Sequence, residues 1–284
     1  MPKKIFFYVI YSFLLIGIIS TTPFLLSCRK TQGNRILLAV TTSVYDSGLL
    51  NKLIVDFEKS SEYIVIPIIV GTGEAISLGQ KGLVDVVFVH SREDEEEFMK
   101  EGYGSQRKDV MYNNFILVGP KNAPAHIQGL SIVEAFRIIQ AEEHTFISRG
   151  DDSGTHKREM AIWKEAGVFD PLSIKEKWYL KSGQEMIFTL KIADEKKGYA
   201  LTDKATYTTV KDALDLKILI EDDGNLLFNP YGIIAVNPLK HKDLNINYLG
   251  ALSFIDYIVS KEGQKIINEF GLLDLGENIF STYS

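Results

Sequence analysis

The chain has 284 residues, a formal net charge of −6 and 45% hydrophobic residues. This composition is typical of a globular protein with one large or two modest domains, and it excludes a disordered chain, a multi-span membrane protein and the basic footprint of a nucleic-acid-binding protein. A single cysteine excludes an intrachain disulfide framework and a cysteine-rich metal site.

The first segment of the chain has the pattern of an export signal. Lys3 and Lys4 precede the apolar run Ile5–Ile19, which is the order of the charged and hydrophobic regions of a signal peptide. The alternative is a retained membrane span, but the run has 15 residues and a spanning helix needs about 20. We therefore expect a signal peptide over residues 1–27.

The only cysteine of the chain follows this run. Leu25-Leu26-Ser27-Cys28 resembles a bacterial lipobox, in which the cysteine is lipidated and becomes the new amino terminus. Residues 28–34 then form a short tether. The sequence predicts an exported lipoprotein that is anchored to a bacterial membrane and faces the periplasm or the cell exterior, away from cytosolic ATP and NAD.

The rest of the chain alternates between short apolar runs and segments of helical periodicity. The predicted strands are Arg35–Val40, Tyr63–Val70, Val84–Val89, Asp109–Gly119, Thr145–Ser148, Tyr199–Leu201 and Tyr231–Val236. The predicted helices begin at Leu49, Glu74 and Glu93 or cover Leu130–Glu143, Gly154–Ala166, Gln184–Lys196 and Leu252–Phe270, with Asp46 or Ser47 as the N-cap of the first. This alternation indicates an α/β protein with mostly parallel sheets.

Two extended segments, Phe115–Pro120 and Asn229–Ala235, bracket the middle third of the chain. They fit a two-lobed protein in which the middle third is inserted and two crossover strands form the hinge. We expect lobe 1 to comprise residues 35–117 and 232–284, and lobe 2 to comprise residues 118–231.

The first of three polar turns lies between a predicted strand and a predicted helix. It carries the hydroxyls of Thr41, Thr42 and Ser43. Backbone N–H groups at a helix start lack intrahelical partners and carry partial positive charge, so the added hydroxyls create a site that can surround an anion. Helix capping alone would also explain these residue types.

The second turn, Ser148–His156, also lies between a strand and a helix. Arg149 supplies a planar fork of donors that suits an oxoanion, unless it only pairs with Asp151 or Asp152. Gly150 and Gly154 permit close backbone approach, and Ser153 and Thr155 add hydroxyls. Gly71-Thr72-Gly73 is a third turn of small residues, without the spacing of a Walker loop.

Five segments carry a family resemblance: Thr41–Leu50, Val70–Ser91, Arg107–Pro120, Phe146–Glu159 and Gly198–Tyr207. Through them the chain resembles the tungstate-binding lipoproteins of tungstate ABC importers, a branch of the type II periplasmic solute-binding proteins. The most specific match to the family is the segment Ser148–Glu159, SRGDDSGTHKRE. Two positions depart from the family pattern, because Val40 and Val44 stand where relatives usually have threonine.

The resemblance implies a two-lobed α/β fold that holds an oxoanion between the lobes. It assigns ligand contacts to Thr42, Ser43, Thr72, Arg149, Ser153, Gly154 and Thr155, with Thr41 as a further candidate. It implies no cofactor, no metal other than that of the oxoanion, and the permease of an ABC transporter as partner of a monomeric binding protein.

Residues that would indicate an enzyme do not form a pattern. The histidines at 90, 126, 144, 156 and 241 have no i,i+3 or i,i+4 pairing, and no nucleophile elbow is present. We therefore expect a binding protein that takes tungstate or molybdate. The alternatives are a phosphate-binding protein of the same fold, with Asp151 or Asp152 as acceptor, and a surface lipoprotein without a transport role.

Overall fold

The structure is a computed structural model that describes residues 33–122, 124–168, 177–221, 224–272, 276 and 278–283. The predicted signal peptide and Cys28 lie outside these residues. The strands are β1 (Arg35–Thr41), β2 (Ile64–Val70), β3 (Val86–Val89), β4 (Gly104–Pro120), β5 (Phe146–Ser148), β6 (Tyr179–Lys181), β7 (Ala200–Asp203), β8 (Leu216–Ile220) and β9 (Phe228–Val236).

The helices of the described residues alternate with these strands. They are α1 (Thr42–Asp46), α2 (Leu49–Ser60), α3 (Thr72–Gln80), α4 (Arg92–Lys100), α5 (Ile132–Ala141), α6 (Gly154–Glu165), α7 (Met186–Glu195), α8 (Lys204–Val210), α9 (Tyr248–Ile258) and α10 (Lys261–Glu269). Within the described part of the chain, no helix is long and apolar enough to cross a membrane.

Lobe 1 is built on three parallel strands in the order β2-β1-β3, and β9 extends this sheet in the antiparallel direction beside β3. β-Branched and leucine side chains of β1 and β3 are buried against α2 and α9, where Phe57 and Phe254 meet edge to face at 5.1 Å. The runs of apolar residues form central strands because both faces of the sheet are covered.

Lobe 2 is built around the far part of β4, with β7 and β8 antiparallel to it and a short parallel pair of β5 and β6. A parallel β-bridge between Phe146 of β5 and Tyr199, the residue before β7, joins this pair to β7. Its core is rich in aromatic side chains: the ring of Trp163 meets Phe146 and Trp178 edge to face and Phe136 at a tilt.

The strands β4 and β9 pass between the lobes side by side and are antiparallel, with Asn113 opposite Asn229. Along β4, Met111 belongs to the core of lobe 1 and Phe115 to that of lobe 2. These strands are the two predicted crossovers. The lobe boundaries at 117/118 and 231/232 stay a prediction.

Several predicted elements differ from the structure. The sheets are mixed, since the crossover strands are antiparallel to their neighbours, so the prediction of mostly parallel sheets is wrong. The turn after β1 contains the short helix α1, and the N-cap of α2 is Gly48, not Asp46 or Ser47. The single helix Leu252–Phe270 is two helices, because Ser260 caps a new one by accepting from the N–H of Gly263 at 3.2 Å.

The parallel strands β1, β2 and β3 end at the same edge of the lobe 1 sheet. This edge therefore gathers Thr41, Gly71 and His90, which stand at or directly after the three strand ends. Ligands of open α/β sheets bind at such carboxyl ends. The edge faces the start of α6 in lobe 2, where the predicted site residues of that lobe lie.

Candidate functional site

All eight predicted ligand contacts line one small cavity between the lobes. The lining residues are Thr41, Thr42, Ser43, Gly71, Thr72, His90, Arg149, Ser153, Gly154, Thr155, Met186, Asp203 and Thr206. The three polar turns, which are far apart in the sequence, thus form one site in the folded chain.

The wall from lobe 1 consists of hydroxyls at strand and helix ends. Thr41 is the last residue of β1 and its Oγ1 lies 3.3 Å from Ser43 Oγ, in the first turn of α1. Thr72 begins α3 and is 1% exposed, and its Oγ1 has no hydrogen-bond partner among the described residues. A buried hydroxyl without a partner is costly, so the site is incomplete without a ligand or water at Thr72.

The wall from lobe 2 begins with Arg149, directly after β5. Arg149 is 8% exposed, and its Nε donates to Asp151 Oδ2 at 3.0 Å, while its Nη2 donates to the same oxygen at 2.5 Å. The predicted alternative of an Arg149–Asp151 pair is therefore present, with Arg149 in the cavity wall and Asp151 exposed beside it. Burial acts to raise the pKa of Asp151, but hydrogen bonds from Ser153 and the charge of Arg149 lower it.

The start of α6 completes this wall. Ser153 is the N-cap, and its Oγ accepts from the N–H of His156 at 3.3 Å. The free N–H groups at the N-termini of α3 and α6 add partial positive charge. The cavity therefore offers hydrogen-bond donors from both lobes.

The lobes approach each other most closely at Gly154. A Cβ atom at this position would lie 3.0 Å from Cε1 of His90 and 3.3 Å from Oγ1 of Thr72. Both neighbours belong to lobe 1, so the absence of a side chain permits the start of α6 to close on the lobe 1 edge. The same side carries an ion pair between the lobes, Lys157 Nζ to Asp94 Oδ2 at 2.7 Å.

Sequence reasoning missed the acidic residue of the cavity. Asp203 ends β7, is 2% exposed, and caps α8 by accepting from Thr206 N at 2.9 Å and from Thr206 Oγ1 at 2.6 Å. Asp203 and Thr206 lie within the matched segment Gly198–Tyr207, and the Asp-x-x-Thr spacing is a capping signal. That signal reveals the cap but not its position in the cavity.

Sequence reasoning also missed His90, which follows β3. Its Nδ1 lies 2.9 Å from Asn229 Oδ1, and its ring stacks on Tyr231 with a centroid distance of 4.9 Å. Burial lowers the pKa of His90, and the opposing charge of Asp203 only partly offsets this effect. His90 is therefore a neutral member of the lobe 1 wall.

Three other residues of the matched turns do not line the cavity. Val40 and Val44, which replace threonines of the family pattern, are fully buried in the core of lobe 1. The His156 ring accepts from the N–H of Asp152 at 3.0 Å. No group of three acidic, histidine or cysteine residues that could hold a metal ion occurs in the described ranges.

Comparisons with known proteins agree with this arrangement. The PBP superfamily domain matches residues 29–262. The tungstate-binding protein TupA of Peptoclostridium acidaminophilum is 45% identical over 257 residues, which are 89% of this chain and 87% of that protein.

Two solved structures share the fold. The tungstate ABC transporter structure from Geobacter sulfurreducens has a TM-score of 0.74 and 48% identity, and the match covers 83% of this chain and 98% of that chain. The tungstate-binding protein TupA from Desulfovibrio alaskensis G20 has a TM-score of 0.75 and 36% identity, with 88% and 99% covered. The chain therefore belongs to the PBP superfamily, and within it to the family of the proteins named tungstate-binding protein TupA.

Proposed function

We propose that this chain is the solute-binding protein of an ABC importer and captures a tetrahedral oxoanion, tungstate or molybdate, between its lobes. The observation that carries the proposal is the buried Thr72 hydroxyl, which lacks a described partner in a cavity that receives donors from both lobes. The family relationship to proteins named for tungstate binding supports the choice of ligand.

The donor set suits a fully deprotonated dianion. Tungstate and molybdate near neutral pH present oxygen acceptors only, and the hydroxyls of Ser43, Thr72, Ser153 and Thr155 can each donate one hydrogen. Arg149 supplies a charge-assisted donor, which is about twice as strong as a neutral one. We assign the ligand contacts to these residues together with Thr41, Thr42 and the backbone at Gly154.

Ligand capture then follows from closure of the lobes. An anion that bonds to Thr72 on one side and to Arg149 on the other stabilises the closed arrangement, and β4 and β9 act as the hinge. We propose that the lobes divide within these two strands, between Met111 and Phe115 on β4 and near the predicted 231/232 boundary on β9. A monomer in this closed form would deliver the anion to the permease, without chemical conversion of the anion.

One observation favours phosphate as a second candidate. Hydrogen phosphate keeps a proton at neutral pH and needs an acceptor, and the buried carboxylate of Asp203 lines the same cavity. Asp203 thus takes the role that the sequence suggested for Asp151 or Asp152, since Asp151 is bonded to Arg149 and Ser153. Its two oxygens already accept from Thr206, so its remaining acceptor capacity is limited.

Calorimetric titration of the purified domain with tungstate, molybdate, phosphate and sulfate tests the proposal. We expect one anion per chain, with tungstate or molybdate bound at least tenfold more tightly than phosphate and sulfate. Analysis of the recovered ligand should show it unchanged, as expected for a protein that is not an enzyme. Tight binding of phosphate without binding of tungstate would favour the second candidate instead.

The membrane anchor is a separate part of the proposal. We propose that Cys28 is lipidated, because the lipobox-like Leu25-Leu26-Ser27 precedes it. The acyl chains would hold the protein at the outer side of the cytoplasmic membrane or in another bacterial membrane, since each buried CH₂ contributes about 0.8 kcal/mol. Cys28→Ser should abolish incorporation of labelled fatty acid and leave the precursor unprocessed. Equal labelling of the variant and the wild type would contradict the assignment.

A further inference from the structure

We propose that Tyr231 and Asn229, on the crossover strand β9, are positioning residues that hold the Ser43 hydroxyl as a hydrogen donor toward the anion cavity. In this way the hinge strand contributes to selection of a fully deprotonated oxoanion against a protonated one. The inference rests on the proposed function and adds a determinant of specificity that does not contact the ligand.

The three residues form a chain of hydrogen bonds that runs from the hinge to the cavity. Nδ2 of Asn229 donates to the Tyr231 hydroxyl at 3.2 Å and to Asn113 Oδ1 at 2.7 Å. The Tyr231 hydroxyl donates to Ser43 Oγ at 3.3 Å. Asn113 lies on β4 and Asn229 on β9, so both crossover strands take part.

The donor-to-acceptor direction of these hydrogen bonds follows from the number of hydrogens on each group. The Asn229 amide has two N–H bonds, which Asn113 and Tyr231 accept, while its oxygen faces Nδ1 of His90 at 2.9 Å. A phenol has one hydrogen. Since the Tyr231 oxygen accepts from Asn229, its own hydrogen is directed to Ser43.

Ser43 therefore receives a hydrogen bond from the protein and must place its own hydrogen elsewhere. Its neighbours are the cavity and Thr41 Oγ1, which lines the same cavity 3.3 Å away. If Ser43 donates to Thr41, then Thr41 directs its hydrogen to the cavity. In both arrangements the pair presents a donor at the lobe 1 wall.

Packing holds the side chains of this hydrogen-bond chain in place. Asn229 and Tyr231 are fully buried, and the Tyr231 ring contacts Phe88 and Phe280 edge to face and stacks on His90. Burial, assisted by the charge of Asp203, raises the pKa of Tyr231, so the phenol keeps its hydrogen across the physiological pH range. Side chains that are buried and hydrogen-bonded to one another in this way resist reorientation.

The consequence is a difference between anions. Tungstate accepts the Ser43 hydrogen with any of its oxygens, whereas hydrogen phosphate accepts it only with its unprotonated oxygens. Loss of the Tyr231 hydroxyl leaves Ser43 without a fixed orientation, so that Ser43 can turn a lone pair toward the O–H of phosphate. Tyr231→Phe should therefore weaken tungstate binding and reduce the preference for tungstate over phosphate.

The test is a double-mutant cycle measured by calorimetry with tungstate and with inorganic phosphate. Loss of one neutral hydrogen bond in Tyr231→Phe should weaken tungstate binding by about 2- to 10-fold, with a smaller loss for phosphate. In the Ser43→Ala background, the same substitution should have almost no effect on tungstate, because Tyr231 acts through Ser43.

The matched control is Tyr207→Phe, since the Tyr207 hydroxyl is bonded to the backbone oxygen of Leu216 in lobe 2 at 2.9 Å and not to the cavity. It should leave the ratio of the two affinities unchanged. Melting temperatures show whether each variant is folded. Asn229→Ala repeats the test at the other end of the hydrogen-bond chain.

The outcomes separate this inference from the proposed function. If the wild type binds tungstate and Tyr231→Phe has an equal effect with and without Ser43, or no effect, the positioning role is wrong. If the wild type does not bind tungstate or molybdate, the proposed function is wrong and the selectivity role falls with it.

Discussion

The two walls of the cavity differ in the kind of donor that they offer. In the described structure, both walls offer hydroxyls and backbone N–H groups. Lobe 1 adds the neutral His90, whereas lobe 2 adds both charged side chains of the lining, Arg149 and Asp203. These charges are themselves partnered, Arg149 by Asp151 and Asp203 by Thr206. Arg149 therefore attracts the anion, and lobe 1 supplies donors of fixed direction.

This division teaches how one site can bind strongly and still discriminate. A charge acts on any anion of the same valence, and its effect depends weakly on orientation. A hydroxyl held in one direction distinguishes an oxygen that accepts from one that carries a hydrogen. Substitution of Arg149 should mainly change affinity, and substitutions in lobe 1 should also change the preference among anions.

The largest expected effect comes from Arg149. Arg149→Ala removes a charge-assisted bond and should weaken tungstate binding by about 10- to 150-fold, from a loss of about 1.5–3 kcal/mol. Arg149→Lys should also weaken binding, because an ammonium cannot make two parallel bonds. Calorimetry measures both effects.

The control for this pair is Arg137→Ala. Arg137 donates to the backbone oxygens of Ala166 and Glu165 and does not line the cavity. Part of the loss in Arg149→Ala arises because Asp151 loses its partner, so adding Asp151→Asn should recover some affinity. Unchanged binding by Arg149→Ala would place the anion elsewhere.

The second prediction concerns a carboxyl group beneath the lobe 2 wall. Glu159 is buried and accepts from Tyr179 at 2.6 Å and Trp163 at 3.1 Å, and burial raises its pKa to about 7. A pKa that is higher in the folded state means that stability is lost as pH rises from about 4.5 to 7. Relative to Glu159→Gln, the wild type should lose about 1 kcal/mol per pH unit in this window.

Denaturant unfolding of both proteins at several pH values between 5 and 8 measures this difference. Subtraction of the two curves removes the contributions of the other titrating groups. The difference should become flat above pH 8, where the carboxyl is ionised in both states. A difference that does not change between pH 5 and 7 would contradict the assignment.

The third prediction returns to lobe 1. Thr72→Val keeps the shape of the side chain and removes the hydroxyl without a described partner. We expect tungstate affinity to fall by about 2- to 10-fold, while the stability of the unliganded protein stays the same or rises. Thr208→Val, which removes a hydroxyl bonded to Lys204 O in lobe 2 at 2.8 Å, should not change affinity. A Thr72→Val protein with normal affinity would show that the hydroxyl does not contact the ligand.

The smallest expected effect is that of the ion pair between the lobes. The side chains of Lys157 and Asp94 are 34% and 29% exposed, and pairs of this kind contribute about 0.2–1 kcal/mol. Lys157→Met should therefore increase the dissociation rate of the anion by roughly 1.5- to 5-fold. Stopped-flow measurements at low and high salt check this, since screening should reduce the effect. An effect that persists in the Asp94→Asn background would exclude the pair as its cause.

The sequence predicted the strands and helices that carry strong apolar patterns. β-Branched runs identified β1, β2 and β9, and amphipathic spacing identified α2 and α5. The helix α1 was missed because five residues are too few for periodicity, and α8 because its seven residues are mostly β-branched and do not favour a helix. The break at Ser260 was missed because the apolar spacing continues across it.

Some residues of the site could be predicted from the sequence, and others could not. Thr72, Ser153 and Arg149, which line the cavity, were predicted from the turns between strands and helices together with the family resemblance. His90 and Asp203 were missed because their role depends on the edge at which β3 and β7 end, which only the strand order decides. The same holds for Tyr231, since its contact with Ser43 joins residues that are 188 positions apart.

The most direct test of the account is ligand-linked stability. A ligand that binds only the folded protein stabilises it by about 4.1 kcal/mol at a thousandfold excess over Kd, and each kcal/mol raises the melting temperature of a protein of this size by about 2–4 °C. Tungstate should therefore raise the melting temperature by about 8–16 °C, molybdate by a similar or smaller amount, and phosphate and sulfate by little. A melting temperature that tungstate leaves unchanged while phosphate raises it would contradict the account.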